Sequence, residues 1–321
     1  MYAAVLHALG ETPRYEQFAE PVAGDGEAIV QVRAAALKPV DRQMATGSHY
    51  ASFRDFPVVC GLDGVGSLED GARVYFAGPR RPFGAMAERT VVRHAMCWPV
   101  PEDVDDGTAA AIVNPGMSAW LTLTMGARPA AGETVLILGA TGTTGKLAVQ
   151  IAKLLGAGRV VAAGRNEEAL DSLRSLGADA TIRLRPPGQE LTEEFARAAQ
   201  VAPYDVIVDY LWGWPTEALL AALTRSDFNA GRSSRIRLVQ VGESAGPTIT
   251  LPAAALRSSG LEIVGAGSGT VPSLDVLQAT YRELMARAAS GELHIDTESA
   301  SLAGMEEAWT REGRKRLVIL P

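Results

Sequence analysis

The chain has 321 residues, of which 47% are apolar and 21% charged, a composition typical of a globular protein with about two domains. Its formal net charge of −7 argues against a nucleic-acid partner, because phosphate backbones attract clustered Lys and Arg. No apolar run approaches the roughly 20 residues that cross a bilayer, and the first residues lack the pattern of a secretory signal. We therefore expect a cytoplasmic protein with no membrane or nucleic-acid partner.

Cys60 and Cys97 are the two cysteines and lie far apart, which is consistent with a reducing compartment and two free thiols. His94 precedes Cys97 by three residues. On a predicted strand this spacing places the two side chains on opposite faces, so we expect neither thiol to act as a nucleophile.

The N-terminal third, from Tyr2 to about Ala110, alternates short strands with Gly, Pro and Asp. Glu27 to Ala34 and Met86 to Val92 are two of these strands. The pattern predicts a small, mostly antiparallel, barrel-like domain. Helical periodicity follows between about Asp103 and Met125.

A buried strand is predicted at Thr134 to Leu138, followed by a glycine-rich turn and a helix through Leu155. Gly142 and Gly145 keep two glycines of a dinucleotide-binding G-x-G-x-x-G motif, whereas Ala140 replaces the first. Glycines and a helix N-terminus together suit a pyrophosphate. The alternative is a tight strand–helix connection without a ligand.

Strands and helices then alternate, which predicts an α/β fold with a parallel, doubly wound sheet. An amphipathic helix is predicted around Leu274 to Ala289, and a last strand at Arg316 to Leu320. The further strands are Arg159 to Ala163, Tyr204 to Asp209, Arg235 to Val241 and Leu261 to Gly265.

The second strand of this sheet ends at Gly164, Arg165 and Asn166, where an NAD enzyme would carry Asp or Glu. A guanidinium at this position suits the 2′-phosphate of NADP(H), which we therefore predict as the cofactor. Asn166 is predicted to cap the next helix. The alternative for Arg165 is a solvated surface arginine.

The order of these parts resembles the medium-chain dehydrogenase/reductase superfamily, and within it the zinc-independent quinone-oxidoreductase branch. The similarity covers nearly the whole chain and includes ALKPVDRQMATGSHY, FPVVCGLDGVG, GATGTTGKLAVQIAK and the tail SGELHIDTESASLAGMEEAW. The resemblance implies a GroES-like catalytic domain at 1–112, completed by 267–321, and a Rossmann domain at 113–266. It also implies an active site in the cleft between them and a homodimer formed through Leu261 to Gly265.

Zinc-dependent members of the superfamily carry Cys or His ligands where this chain has Lys38, Leu62 and Asn114. The resemblance therefore implies that the catalytic metal is absent, since these residues do not form a tetrahedral zinc site. The four histidines are dispersed singly along the chain.

The resemblance also suggests two catalytic candidates. Lys38 stands where the branch usually has Asn, and either donates to a ribose hydroxyl or an oxyanion, or is a partly exposed, salt-bridged lysine. Tyr50 matches a tyrosine of the substrate pocket and either protonates an enolate or stacks on the substrate. Asp41 is predicted to be a capping or ion-pair residue.

Further residues are implied to contact the cofactor. Ser118, with Asn114 close by, corresponds to a nicotinamide contact, the alternative being a hydroxyl inside a helix. Trp212 and Trp214 either wall the cofactor or substrate or serve only packing. The predicted cofactor-binding set is Asn114, Ser118, Ala140, Thr141, Gly142, Thr143, Thr144, Gly145, Gly164, Arg165, Asn166, Val241, Gly242 and Gly267.

The predicted function is NADPH-dependent, zinc-independent transfer of hydride to a quinone or an α,β-unsaturated carbonyl, because such acceptors are electrophilic without a Lewis acid. One alternative is an enoyl-thioester or 2-enone reductase with no quinone role. Another is a non-enzymatic NADPH-binding regulatory protein.

Overall fold

A computed structural model describes residues 1–185, 189–224, 235–267, 271–311, 313 and 315–321. It divides the chain into two compact units, 1–114 with 281–321 and 115–280. The helices and strands, in chain order, are β1 (Tyr2–Leu6), β2 (Arg14–Gln17), β3 (Glu27–Ala36), α1 (Pro39–Thr46), β4 (Val58–Val59), β5 (Asp63–Ser67), β6 (Arg73–Ala77), β7 (Arg89–Arg93), β8 (Cys97–Pro99), α2 (Asp106–Leu121), β9 (Thr134–Leu138), α3 (Thr143–Leu154), β10 (Arg159–Gly164), α4 (Glu167–Ser172), β11 (Ala180–Arg183), α5 (Gln189–Val201), β12 (Val206–Asp209), α6 (Gly213–Leu223), β13 (Ile236–Gln240), α7 (Ala253–Ser259), β14 (Leu261–Gly265), α8 (Leu274–Ala289), β15 (Thr297–Ser301), α9 (Met305–Thr310) and β16 (Arg316–Leu320).

The first unit consists mainly of antiparallel sheet. One sheet has the order β2-β1-β4, and a larger one has the order β15-β16-β3-β5-β6-β8, with β7 also paired to β3. Only β15 and β16 run parallel among these pairs. Alternate residues of β3, including Val30 and Val32, are buried and pack with Leu6, Phe76 and Trp309 in one core. This period of two reflects one buried and one exposed sheet face.

The second unit is a parallel sheet of order β11-β10-β9-β12-β13-β14 with helices in the connections. All five residues of β9 are buried, as a central parallel strand requires. The strand order reverses between β9 and β12, because β10 and β11 extend to one side and β13 and β14 to the other. This is the doubly wound arrangement predicted from the alternation of strands and helices.

Strand β7 is shorter than the sequence predicts, and the boundary between the compact units lies at a different residue from the predicted domain bound. The strand expected at Met86–Val92 begins at Arg89, since Ala87 makes only an isolated bridge to Ala3. Helix α8 contains the boundary between the two compact units, at Tyr281, whereas the return to the first domain was predicted at 267. Within the described ranges, no helix is long and apolar enough to span a bilayer.

The expectation that His94 lies on a strand is wrong, because residues His94–Met96 form a 3-10 turn that precedes β8. Burial raises the pKa of the Cys97 thiol to about 11, which keeps it protonated at neutral pH. Burial likewise raises the pKa of Cys60. Both thiols are unpaired and lack the thiolate character of a nucleophile.

Candidate functional site: the carboxyl edge of the parallel sheet and a buried lysine

The glycine turn joins β9 to α3 with very little space. Gly139 has φ = 84°, a conformation that glycine adopts without strain. A Cβ on Gly145 would lie 2.3 Å from the Gly139 carbonyl oxygen and 2.6 Å from the Ala140 Cα. Both atoms belong to the backbone and cannot move aside. Gly145 therefore allows the first turn of α3 to pack directly on the end of β9.

The N-terminus of α3 begins at Thr143, and its N-cap residue, Gly142, provides no side-chain acceptor for the helix N–H groups. The first N–H groups of a helix lack intrahelical partners and carry the positive end of the dipole. Thr141, Thr143 and Thr144 add hydroxyl groups around this turn. The turn thus offers backbone and hydroxyl donors, but no carboxylate, to an anionic group.

The end of β10 lies beside this turn. A Cβ on Gly164 would come within 2.4 Å of the Thr141 methyl group, so the two segments are in close contact. Arg165 is exposed and has no ion-pair partner within the part of the chain that the structure describes. Asn166 accepts the Ala169 N–H at 2.8 Å through its side chain, which confirms it as the cap of α4.

The glycine turn and the end of β10 together have the chemistry of a dinucleotide site. The Gly145 packing leaves an open helix N-terminus for a pyrophosphate, and Arg165 is a cation one residue beyond β10. In doubly wound sheets this position handles the adenosine ribose. These residues fit a dinucleotide that carries a 2′-phosphate.

The ends of β12 and β13 are tied together through Asp209. Its backbone carbonyl accepts the N–H groups of Val241 at 2.8 Å and Gly242 at 3.2 Å. Its buried carboxylate accepts the N–H groups of Leu211 at 2.8 Å and Trp212 at 2.9 Å. Asp209 was not among the predicted site residues, although a carboxylate at the carboxyl end of a predicted parallel strand lies at the edge where such sheets bind ligands.

The remaining predicted cofactor contacts lie on other elements. Asn114 and Ser118 are four residues apart in α2 and so occupy one helix face. Asn114 is exposed and Ser118 is half-buried. Gly267 lies two residues after β14 and is exposed.

Lys38 is 2% exposed and lies in a cluster of charges within the first unit. Its Nζ donates to the Ala36 carbonyl at 2.8 Å and to Asp63 Oδ1 at 3.0 Å, and lies 3.3 Å from Asp41 Oδ2. Burial alone lowers the pKa of Lys38, but the two carboxylates outweigh burial and the pKa lies above its ordinary value. The lysine is therefore a buried ammonium: the predicted salt bridge is present, whereas the predicted partial exposure is wrong.

Asp41 has the two roles expected of it. Its carboxylate accepts the Lys38 N–H at 2.8 Å at the start of α1 and also pairs with the Lys38 ammonium. Asp63 was missed as a partner of Lys38, because 25 residues separate the two in sequence. Among the described residues, no group of three or more His, Cys, Asp and Glu side chains is arranged to hold a metal ion.

Tyr50, the second catalytic candidate, is 74% exposed. Its ring lies 4.0 Å from that of His49, centroid to centroid, in the loop after α1. His49 Nδ1 accepts the Ala51 N–H at 3.1 Å, which orders this loop locally. The phenol is accessible, and its role as an acid or a stacking residue stays a prediction.

The fold and the site define a class of protein: a doubly wound dinucleotide-binding domain with an antiparallel β domain built from both ends of the chain. The sequence profile of zinc-binding dehydrogenases matches residues 143–290. By these features the chain is similar to the medium-chain dehydrogenase/reductase superfamily, and in particular to its quinone-oxidoreductase-like branch.

Individual relatives agree with this assignment. A "Probable NADPH-dependent quinone reductase" of Emericella nidulans is 27% identical over 100% of both chains. An NADPH-dependent alkenal/one oxidoreductase of Arabidopsis thaliana is 31% identical over 50% of this chain and 46% of its own length. The quinone oxidoreductase of Thermus thermophilus, whose complex with NADPH has also been solved, is 25% identical, with a TM-score of 0.80 and full coverage of both chains.

Proposed function

We propose that this chain is an NADPH-dependent reductase that transfers hydride to a quinone or to a conjugated, α,β-unsaturated carbonyl. The observation that carries the proposal is the glycine turn after β9, with Arg165 at the end of the neighbouring strand. The quinone reductase of Emericella nidulans, similar over its whole length, supports this chemistry.

The chain's own residues would hold and orient the cofactor. Bound NADPH supplies the hydride. The N-terminus of α3 would neutralise the pyrophosphate, and Arg165 would pair with the 2′-phosphate. Val241, Gly242 and Gly267, at the ends of β13 and β14, lie in the half of the sheet edge where a doubly wound fold receives the nicotinamide.

We also propose that the reaction proceeds without zinc. Lys38 already supplies a positive charge between Asp41 and Asp63, and all its hydrogen-bond donors have acceptors nearby. A divalent cation would have to displace this ammonium and recruit ligands other than Lys38 and Leu62. Conjugated acceptors do not require a Lewis acid, because hydrogen bonds can stabilise the resulting enolate or hydroquinone anion.

The acceptor has two candidate classes. The Emericella nidulans relative is named for quinones, whereas the Arabidopsis thaliana relative is named for alkenals and alkenones.

We further propose a cytoplasmic homodimer. Two free thiols are consistent with a reducing compartment, and β14 is the edge strand through which two copies can pair.

The test is NADPH oxidation by purified, chelator-treated protein, with a benzoquinone and a 2-enone as parallel acceptors and NADH as the control cofactor. Turnover of either acceptor that survives chelation supports a zinc-independent reductase, and the ratio ranks the two acceptor classes. NADPH binding without turnover of any acceptor would instead favour the non-enzymatic, regulatory alternative.

A further inference from the structure

Trp212 has a backbone conformation that side chains rarely adopt. Its φ is 55° and its ψ is −160°, a region essentially restricted to glycine. Among the described non-glycine residues with positive φ, the other is Arg128, which ends a helical segment in the ordinary left-handed conformation. Trp212 precedes a helix instead of ending one, so the left-handed C-cap of a helix does not explain its conformation.

Contacts from two strand ends impose this conformation. Asp209 Oδ1 accepts the Leu211 and Trp212 N–H groups at 2.8 and 2.9 Å, and its Oδ2 accepts the Thr216 hydroxyl at 2.5 Å. On the other side, the Ala245 N–H donates to the Leu211 carbonyl at 2.8 Å. The loop after β12 is thus fixed by a buried carboxylate and by the segment after β13.

The neighbouring Gly213 shows how tightly this loop is packed. It also has positive φ, and a Cβ there would lie 2.6 Å from the Ala245 carbonyl oxygen. Glycine fits this site because the two backbones touch. A glycine at position 212 would likewise adopt the observed conformation without strain, yet the residue at this position is tryptophan, which has the largest side chain of all amino acids.

Packing alone does not account for that side chain. Leu211 and Trp214 contact the same core of the second unit without positive φ. Trp212 packs against this core but is only partly buried. A residue held in a costly conformation by several hydrogen bonds is typical of a ligand-contacting position.

The sheet order indicates which part of the dinucleotide lies nearby. The strand order reverses between β9 and β12, so a dinucleotide lies across the carboxyl edge at that point. Arg165, after β10, belongs to the adenosine half. Trp212, three residues after β12, therefore belongs to the nicotinamide half, where the acceptor must approach to receive hydride.

We propose that Trp212 is a specificity-determining residue that selects planar, ring-shaped acceptors by offering its indole as a stacking surface. The inference rests on the proposed reductase function. An aromatic face favours a conjugated ring such as a quinone over a short, linear enone, which covers less of the indole. The loop conformation keeps the ring in place before the acceptor arrives.

The test compares Trp212→Gly, Trp212→Phe and the control Trp214→Phe with the unmodified protein. For each, kcat/KM is measured with a benzoquinone and with a short, linear 2-enone, and the NADPH dissociation constant and melting temperature are recorded. For Trp212→Gly we expect kcat/KM for the quinone to fall about threefold to tenfold relative to the enone, the range of one aromatic contact. Trp212→Phe should retain most of the preference, and Trp214→Phe should retain all of it.

An unchanged quinone-to-enone ratio in Trp212→Gly, or an equal fall for both acceptors, would overturn the inference. If Trp212→Gly does not fold, Trp212→Leu provides the same comparison with a non-aromatic side chain. Failure of the unmodified protein to reduce either acceptor would overturn the proposed function itself, and is distinguished from failure of the inference by that control.

Discussion

Arg165 is the residue whose substitution separates the two nicotinamide cofactors. It is exposed one residue beyond β10, beside the glycine turn. Replacing Arg165 with Glu removes a cation and adds an anion where a 2′-phosphate would lie. We expect NADPH binding to weaken about tenfold to a hundredfold, as for a lost charged hydrogen bond, with little change for NADH. Titration of cofactor fluorescence measures both constants.

The control for this experiment is Arg174→Glu, which makes the same charge change at an exposed position away from the strand ends. Equal losses of NADPH and NADH affinity in the Arg165 variant would remove Arg165 from the 2′-phosphate site.

Replacement of Lys38 should lower the stability of the fold. Lys38→Met leaves Asp41 and Asp63 buried without their ammonium partner. Breaking a buried ion pair in this way costs about 3–5 kcal/mol of folding free energy. Urea denaturation should show this loss, and the double variant Lys38→Met with Asp63→Asn should recover part of it because one uncompensated charge is removed. Full stability of the single variant would contradict the buried ion-pair geometry.

At the scale of single elements, substitutions at two glycines of the turn should have different effects on stability. Gly145→Val places a Cβ against the Gly139 carbonyl oxygen and should destabilise the protein by about 1–3 kcal/mol, the usual cost of overpacking. Gly142→Ala meets that oxygen at 3.5 Å, an ordinary contact, so its stability should be nearly unchanged. Thermal denaturation checks both.

NADPH binding should separate these effects further. The Gly142→Ala variant keeps the fold but adds a methyl group at the N-cap of α3, where a pyrophosphate approaches. We therefore expect weaker NADPH binding in a stable protein. Unchanged binding would show that the phosphates do not contact this residue.

The start of β10 is stabilised by a carboxylate with a predictable pH dependence. Asp179 accepts Lys153 Nζ at 2.6 Å and the Val160 N–H at 2.7 Å. Burial raises the pKa of Asp179, but these hydrogen bonds and the charge of Lys153 outweigh it and leave the pKa below its usual value. A lowered pKa adds stability above the unfolded value of about 3.9, and this contribution is lost as pH falls through the folded pKa.

Asp179→Asn should therefore lower the melting temperature at pH 7, and the difference from the unmodified protein should shrink as the pH falls below about 4. Asp55→Asn, at an exposed loop position, is the control and should show little difference at either pH. A constant difference for Asp179→Asn across this range would mean that the carboxylate charge does not stabilise the fold.

At the scale of the whole molecule, the edge strand β14 bears on assembly. Val264 is 47% exposed on this strand, and β14 has β13 as its neighbour in the sheet. Charged edge residues oppose strand pairing between chains. If two copies pair through β14, Val264→Lys should shift the protein from dimer to monomer in light scattering. Val271→Lys, at a 60% exposed position outside the strand, should leave the dimer intact.

Much of the fold was predictable because its signals are local. Runs of branched apolar residues identified β9, β14 and β16 with the bounds that the structure has, and apolar periodicity identified α8. The apolar pattern of each segment lies within a few consecutive residues, so the local sequence suffices to recognise it. The same applies to Asn166, whose side chain caps the helix that begins at the next residue.

Residue contacts across long separations could not be predicted in this way. The sequence showed a lysine at position 38, but only the folded chain brings Asp63 within 3.0 Å of its ammonium and buries the pair. His94 was expected on a strand, since a 3-10 turn of three residues leaves too short a pattern to recognise.

The class of domain, the glycine turn and the cation in place of a carboxylate after β10 can be predicted from the amino-acid sequence alone, because each depends on residues within one strand–turn–helix segment. The burial of Lys38 and the glycine-like conformation of Trp212 are evident only in the folded chain. Both depend on segments that are distant in sequence: Asp63 contacts Lys38, and Ala245 bonds to the loop that holds Trp212. Charge burial and backbone strain are set by these neighbours in space rather than by the local sequence.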